Sequence, residues 1–274
     1  MARTRAEQNR PIERVAWPEV AVMPALPDEA IHLWRTNLDL GAATIGEYRR
    51  LLAPDELVRA GRYRRALDRD RFIVARGTLR VLLGRYLALA PATLSFQYTC
   101  ACGGPDCPPE GRKPTLDPTS GGDRLHFNVS HAEGLALYAI ARDRPVGVDL
   151  ELCRADLDPA ELAPTVLAPQ EWATLKTLPL AEQRAQFLQH WTAKEAYLKA
   201  RGVGLSLPPD QIVLAASAQG KLSIASAGGD EREGEHWALH AVTPIPGYAA
   251  TLVSAGAAAT VRTFTFAQDA VTAP

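Results

Sequence analysis

The chain has 274 residues, 47% of them hydrophobic and 22% charged, with a formal net charge of −1. This is the composition of a soluble globular protein, with no global field to favour nucleic acid or an anionic membrane. No stretch approaches the ~20 apolar residues that span a bilayer, and the length suits two domains of roughly 130 residues each.

Residues 1–30 are polar and proline-bearing and read as a lead-in; the basic start Met1-Ala2-Arg3-Thr4-Arg5 lacks the apolar stretch of a secretory signal. Ile31–Asn37 alternates like a half-buried strand. From Pro54 to Leu89 the pattern is helical. Pro54, Asp55 and Glu56 make a good helix start, and Phe72, Ala75, Leu79, Leu82, Leu83 and Tyr86 form an apolar stripe. Arg65, Arg69, Arg76 and Arg80 share a helical face that reads as the solvated side, with Arg71 and Arg76 the best suited to meet a phosphate. The segment Thr99–Ser120 is a loop rich in Gly, Pro and Cys. Its Cys100, Cys102 and Cys107 fit no standard zinc spacing, so free reduced thiols are expected, and with them a cytoplasmic protein. A zinc site completed by His126 or Cys153 is the alternative.

Two strands follow: Leu125–Val129, ending in a Ser130-His131 corner, and the continuous apolar run Leu135–Ala141. After a turn at Arg142–Pro145 comes Gly147-Val148-Asp149-Leu150-Glu151, whose two acids stand two apart and so face one side of a strand. Helical sequence covers Pro159–Leu167, Pro169–Leu175 and Leu180–Arg201, stopped by Gly202. In the last of these, Trp191, Glu195 and Lys199 recur at spacings of four and share a face. Strand-like segments at Gln211–Ala215, Lys221–Ala225, Trp237–Val242, Tyr248–Ser254 and Val261–Phe266 complete the chain. The expected fold is α+β. It comprises two similar subdomains, 1–145 and 146–274, related by a pseudo-twofold and each an antiparallel sheet packed on a long helix.

Asp149, Glu151 and Glu195 beside Lys194 and Lys199 make a seat for a hard divalent cation carrying a polyphosphate. Buried carboxylates without partners are strongly disfavoured, which makes a cation their natural occupant. Ser130 and His131 do not read as a hydrolase pair, because neighbours on a turn align poorly and no nucleophile-elbow glycines flank the serine. An anion contact by His131 is more economical.

In this order the pieces resemble the 4′-phosphopantetheinyl transferase superfamily, in its monomeric surfactin-synthetase-activating branch. They are Arg71 and Arg80, Lys113-Pro114, Phe127-Asn128-Val129-Ser130-His131, Gly147-Val148-Asp149-Leu150-Glu151, and Trp191-x-x-Lys194-Glu195-Ala196-x-x-Lys199. Gly202-x-Gly204-Leu205-Ser206-Leu207 and Pro246-Gly247-Tyr248 complete the run. The resemblance implies transfer of the phosphopantetheine arm of coenzyme A to a serine of an acyl or peptidyl carrier protein, with release of 3′,5′-ADP. It implies Mg²⁺, with Mn²⁺ as the alternative, held by Asp149, Glu151 and Glu195. Lys194 and Lys199 are implied on the pyrophosphate side, and Arg71, Lys113, Ser130 and His131 on coenzyme A and its 3′-phosphate. Gly111-Arg112-Lys113-Pro114 carries an arginine where the family usually reads Gly-Lys-Pro. On chemical grounds Glu195 is the candidate base and Lys199 the stabiliser of the leaving group. The rival readings are a metal-dependent phosphohydrolase of coenzyme A-like nucleotides and a non-enzymatic binding module. Neither nucleic acid nor membrane is an expected partner.

Overall fold

The computed structural model describes residues 17–20, 22–99, 113–118 and 124–268. The Cys100, Cys102 and Cys107 loop and Gly111-Arg112 lie outside the described residues. The first half runs β1 (Ala30–Asn37), α1 (Ala42–Leu51), α2 (Pro54–Gly61), α3 (Ala66–Leu87), β2 (Phe96–Thr99), β3 (Lys113–Leu116), β4 (Leu125–Ala132) and β5 (Leu135–Arg142). Then come β6 (Val146–Leu152), α4 (Pro159–Val166), α5 (Pro169–Leu175) and α6 (Leu180–Arg201). The chain finishes with β7 (Ile212–Ala216), β8 (Leu222–Ala227), β9 (Trp237–Val242), β10 (Tyr248–Ala255) and β11 (Thr260–Thr265).

Two sheets, ordered β11-β1-β5-β4 and β6-β10-β9, pack face to face between the long helices α3 and α6. The alternation of β5 explains the layering. Ala136, Tyr138 and Ile140 join the core under α3, while Leu135, Leu137, Ala139 and Ala141 meet Val146, Val148, Leu150 and Leu252 of the other sheet. A strand covered on both faces must be apolar at every position, which is why Leu135–Ala141 reads as an unbroken run.

Where sequence and structure part, packing supplies the reason. The helical stretch from Pro54 is broken after Gly61 into α2 and α3. Helix α1, not expected from any local pattern, fits because Gly77 of α3 leaves room for Tyr48: a Cβ there would lie 2.5 Å from the tyrosine ring. Part of the segment read as loop, Lys113–Leu116, pairs with β2 as a hairpin. The division at residue 145 is crossed by β11, which pairs in parallel with β1 and belongs to the first sheet. This covers an edge of β1 that would otherwise present unpaired backbone groups. Arg76 and Arg80, expected on a solvated face, are buried instead. Arg80 Nε stands 2.7 Å and Arg76 Nε 3.5 Å from the carboxylate of buried Glu56, and both guanidinium groups lie over the Phe96 ring. Among the described residues no helix is long and apolar enough to cross a membrane.

Candidate active site

The site lies where the edge strands of the two sheets, β4 and β6, run side by side without forming a ladder. Side chains bridge the seam instead. Asn128 Oδ1 accepts the Val148 backbone N–H at 2.8 Å, and Ser130 Oγ donates to Asp149 Oδ1 at 3.0 Å. Asn128 and Ser130 stand two apart on β4, as Asp149 and Glu151 do on β6, so each strand turns one polar face to the seam. The same period-two signal that singled out the acids was therefore present for Asn128.

Helix α6 comes down on β6 at almost no clearance. A Cβ on Gly147 would lie 2.0 Å from the Ala196 carbonyl oxygen and 2.4 Å from the Ala200 nitrogen, so only glycine permits the approach. Thr192 and Thr251 share a 2.9 Å hydrogen bond between α6 and β10, with Thr251 opposite Asp149 in the ladder. The result carries Glu195 and Lys199 to the acids of β6. Lys199 Nζ donates to Asp149 Oδ1 at 2.5 Å and to Ser130 Oγ at 3.2 Å.

Electrostatically the cluster is short of positive charge. Burial pushes the Glu151 carboxyl up to about 7, helped by the negative charges of Asp149 and Glu195 and opposed by Lys199 and the Trp191 indole. Glu195 is raised too, first by burial and then by Asp149, against the pull of Lys199. Asp149 Oδ2 is buried with no hydrogen-bond partner. An anionic oxygen so placed is costly unless a cation meets it.

Beside the cluster opens a cavity of about 370 Å³, lined by Glu195, Lys199, His131, Lys113, Arg59 and Arg76 among others. Its wall is otherwise largely apolar, with Tyr63, Phe72 and Leu79 from the first half. His131 keeps an exposed side, while the protein packed about its ring and the positive charges of Lys199, Arg59 and Arg71 lower its pKa. Lys113 Nζ donates to two backbone carbonyls, Val146 O at 3.1 Å and Lys199 O at 2.9 Å. Burial brings its pKa down to about 8. Arg59 was not among the residues singled out from sequence, because nothing local separates it from its arginine neighbours.

Two expected residues stand elsewhere. Lys194 does not reach the pyrophosphate side: it is fully buried, with Nζ 2.5 Å from Glu171 Oε2 and 2.8 Å from the Val166 carbonyl oxygen. It stands five positions before Lys199, which on a helix turns it well away from that side chain. Arg71 is not part of the cavity lining. Asp39 grips it in two bonds of 2.7 and 3.1 Å, and Glu133 in one of 3.0 Å.

The acids suit a hard divalent cation by their chemistry. All the donors are carboxylate oxygens, one is an orphan, and two carboxyls are raised by burial and by one another's charge. They do not form a preformed cage, since among the described residues no three acidic, histidine or cysteine side chains are drawn together at metal-binding geometry. Lys199 neutralises Asp149 in its place.

Residues 145–253 match the family model described as the 4′-phosphopantetheinyl transferase superfamily. The chain is 35% identical to the 4′-phosphopantetheinyl transferase HetI of Nostoc sp. over 241 residues, 87% of this chain and 93% of that protein. A relative from Synechocystis sp. is 34% identical over 69% of this chain and 70% of its own length. The 4′-phosphopantetheinyl transferase Sfp of Bacillus subtilis is 31% identical over 99 residues, 36% of this chain and 43% of Sfp. With a relative matched along most of both chains, this protein belongs to the 4′-phosphopantetheinyl transferase superfamily.

Proposed function

We propose that the protein transfers the 4′-phosphopantetheine arm of coenzyme A to a serine of an apo acyl or peptidyl carrier protein in the cytoplasm, releasing 3′,5′-ADP. The observation that carries this reading is the meeting of Asp149 and Glu151 from β6 with Glu195 and Lys199 from α6 beside the 370 Å³ cavity. Asp149, Glu151 and Glu195 would hold Mg²⁺, which when bound neutralises the pyrophosphate and polarises the phosphorus under attack.

The residues divide the remaining work. The serine oxygen forms a bond to the phosphorus that bears the pantetheine, and the bond from that phosphorus to the oxygen of the departing 3′,5′-ADP breaks. Glu195, raised in pKa by burial, takes the serine proton directly or through a water. Lys199 offsets the charge that grows on the leaving phosphate. His131 and Ser130 bring polar contacts from the first sheet, with Arg59 supplying charge from the cavity wall toward the nucleotide end. Lys194 has no part in this, because it is fully buried against Glu171 and the Val166 carbonyl and does not line the cavity.

The test is the mass of an apo carrier incubated with the protein, coenzyme A and Mg²⁺. One phosphopantetheine arm should be gained, and the gain should fall about 10³-fold in Asp149→Ala and Glu195→Ala. Chelation should stop it and added Mg²⁺ restore it. Consumption of coenzyme A without any carrier, or no mass gain with several unrelated carriers, would sink the proposal.

A further inference from the structure

Lys113 sits in the cavity lining, yet its ammonium is directed at backbone. The two carbonyls it binds come from different elements: Val146 O opens β6, and Lys199 O lies in the last turn of α6. Carbonyls in the last turn of a helix lack intrahelical partners and need outside donors. The lysine itself belongs to β3, held in the first half of the molecule by its pairing with β2. Hairpin β2–β3 is anchored in turn by the buried guanidinium groups of Arg76 and Arg80 against Phe96. From this geometry we infer that Lys113 is a positioning residue, a staple from the first half that fixes the end of α6 against the start of β6 and thereby aims Lys199 at Asp149.

The location supports the role. Between the two carbonyls lies Gly147, where strand and helix touch most closely, with Ala196 O and Ala200 N within 2.4 Å of where a Cβ would stand. Farther up α6 the helix is joined through Thr192 and Thr251 to β10, the strand paired with β6. Lys113 closes the open end of that contact, where Gly202 stops the helix in a left-handed conformation with φ 74°. Aim matters here: a misplacement of about 1 Å in a reacting group can cost about 10²-fold in rate. The staple therefore serves turnover without touching the nucleotide.

The inference rests on the transferase reading for its kinetic arm only; amide exchange and product binding test it independently. Lys113→Met keeps the buried stem and removes the donors. It should speed exchange of the amides at residues 198–202, lower kcat about tenfold, and leave the Kd for 3′,5′-ADP within about twofold of the parent. Lys113→Arg keeps a charged donor in reach of both carbonyls and should restore protection and most of kcat. A rise of tenfold or more in the Kd for 3′,5′-ADP with exchange unchanged in Lys113→Met would overturn the inference and make Lys113 a ligand contact. Should Lys113→Met fail to fold, Lys113→Arg decides: unprotected α6 amides with normal 3′,5′-ADP binding refute the staple, and protected amides support it. If the parent protein transfers nothing to any carrier, the functional reading fails, and the exchange of α6 still decides on the staple.

Discussion

Helix α6 carries two lysines five residues apart, and its two faces treat them in opposite ways. On one face Lys194 is enclosed: Glu171 neutralises it, and Glu171 also accepts the backbone N–H groups of Ala168 at 2.8 Å and Leu214 at 2.7 Å. Each polar atom there has a fixed protein partner. On the other face Lys199 is 31% exposed and serves a cluster of three acids that one lysine cannot neutralise. The first arrangement is closed and binds α5 and β7 to the helix. The second is left open to a cation and a phosphate. A saturated ion pair marks a structural joint, whereas a charge surplus beside a cavity marks a place for a ligand.

The contrast can be broken most forcefully at Lys194. Lys194→Met leaves Glu171 buried without its counterion and should cost about 3–5 kcal/mol in denaturant unfolding. Adding Glu171→Leu should recover part of that loss, and the folded Lys194→Met protein should keep its KM for coenzyme A. A raised KM with unchanged stability would mean that the two faces are not distinct. Lys199→Met should invert the pattern. Turnover should drop about 10²-fold, while stability should change by less than half the cost of Lys194→Met because Lys199 is partly solvated.

The smallest effect is a pH dependence on the closed face. His190 of α6 is buried and faces Glu171 and Lys194, with Nδ1 on the Gln186 carbonyl oxygen at 2.8 Å. Its pKa is lowered, first by burial, so below the ordinary value of 6.5 the unfolded chain binds a proton that the native state resists. Stability from this group is thus present above pH 6.5 and is lost as pH falls below it, with a slope no steeper than about 1.4 kcal/mol per unit. His190→Gln should flatten that part of the stability curve; an unchanged curve would assign acid sensitivity to other groups.

The sequence made the open face legible and left the closed one illegible. Period two on β6 and period four on α6 are local, so Asp149, Glu151, Glu195 and Lys199 could be grouped before any fold was known. A spacing says which side chains share a face but not what that face meets. Lys194 stands next to Glu195 in the chain, and only the distant Glu171 and Val166 turn it into a core residue. Arg76 and Arg80 escaped for the same reason: buried arginine is improbable until Glu56 and Phe96 are placed beside it. Outside the hairpin β2–β3, which was missed, the strands were found to within three residues at either end, but that β11 joins β1 depends on pairing across the length of the chain, which no local pattern carries.

That pairing reaches into how the protein is made. Arg35 on β1 bonds Thr265 on β11 across 230 positions of sequence. While the chain is emerging from a ribosome, β1 can fold onto β5 with one flank bare for as long as the intervening residues take to be synthesised. At about 5–20 residues per second, that interval is some tens of seconds or less. Contacts so distant also slow refolding of the full chain. The nascent first sheet is thus an intermediate with a sticky edge, and the final strand is the lid that ends its exposure to other chains.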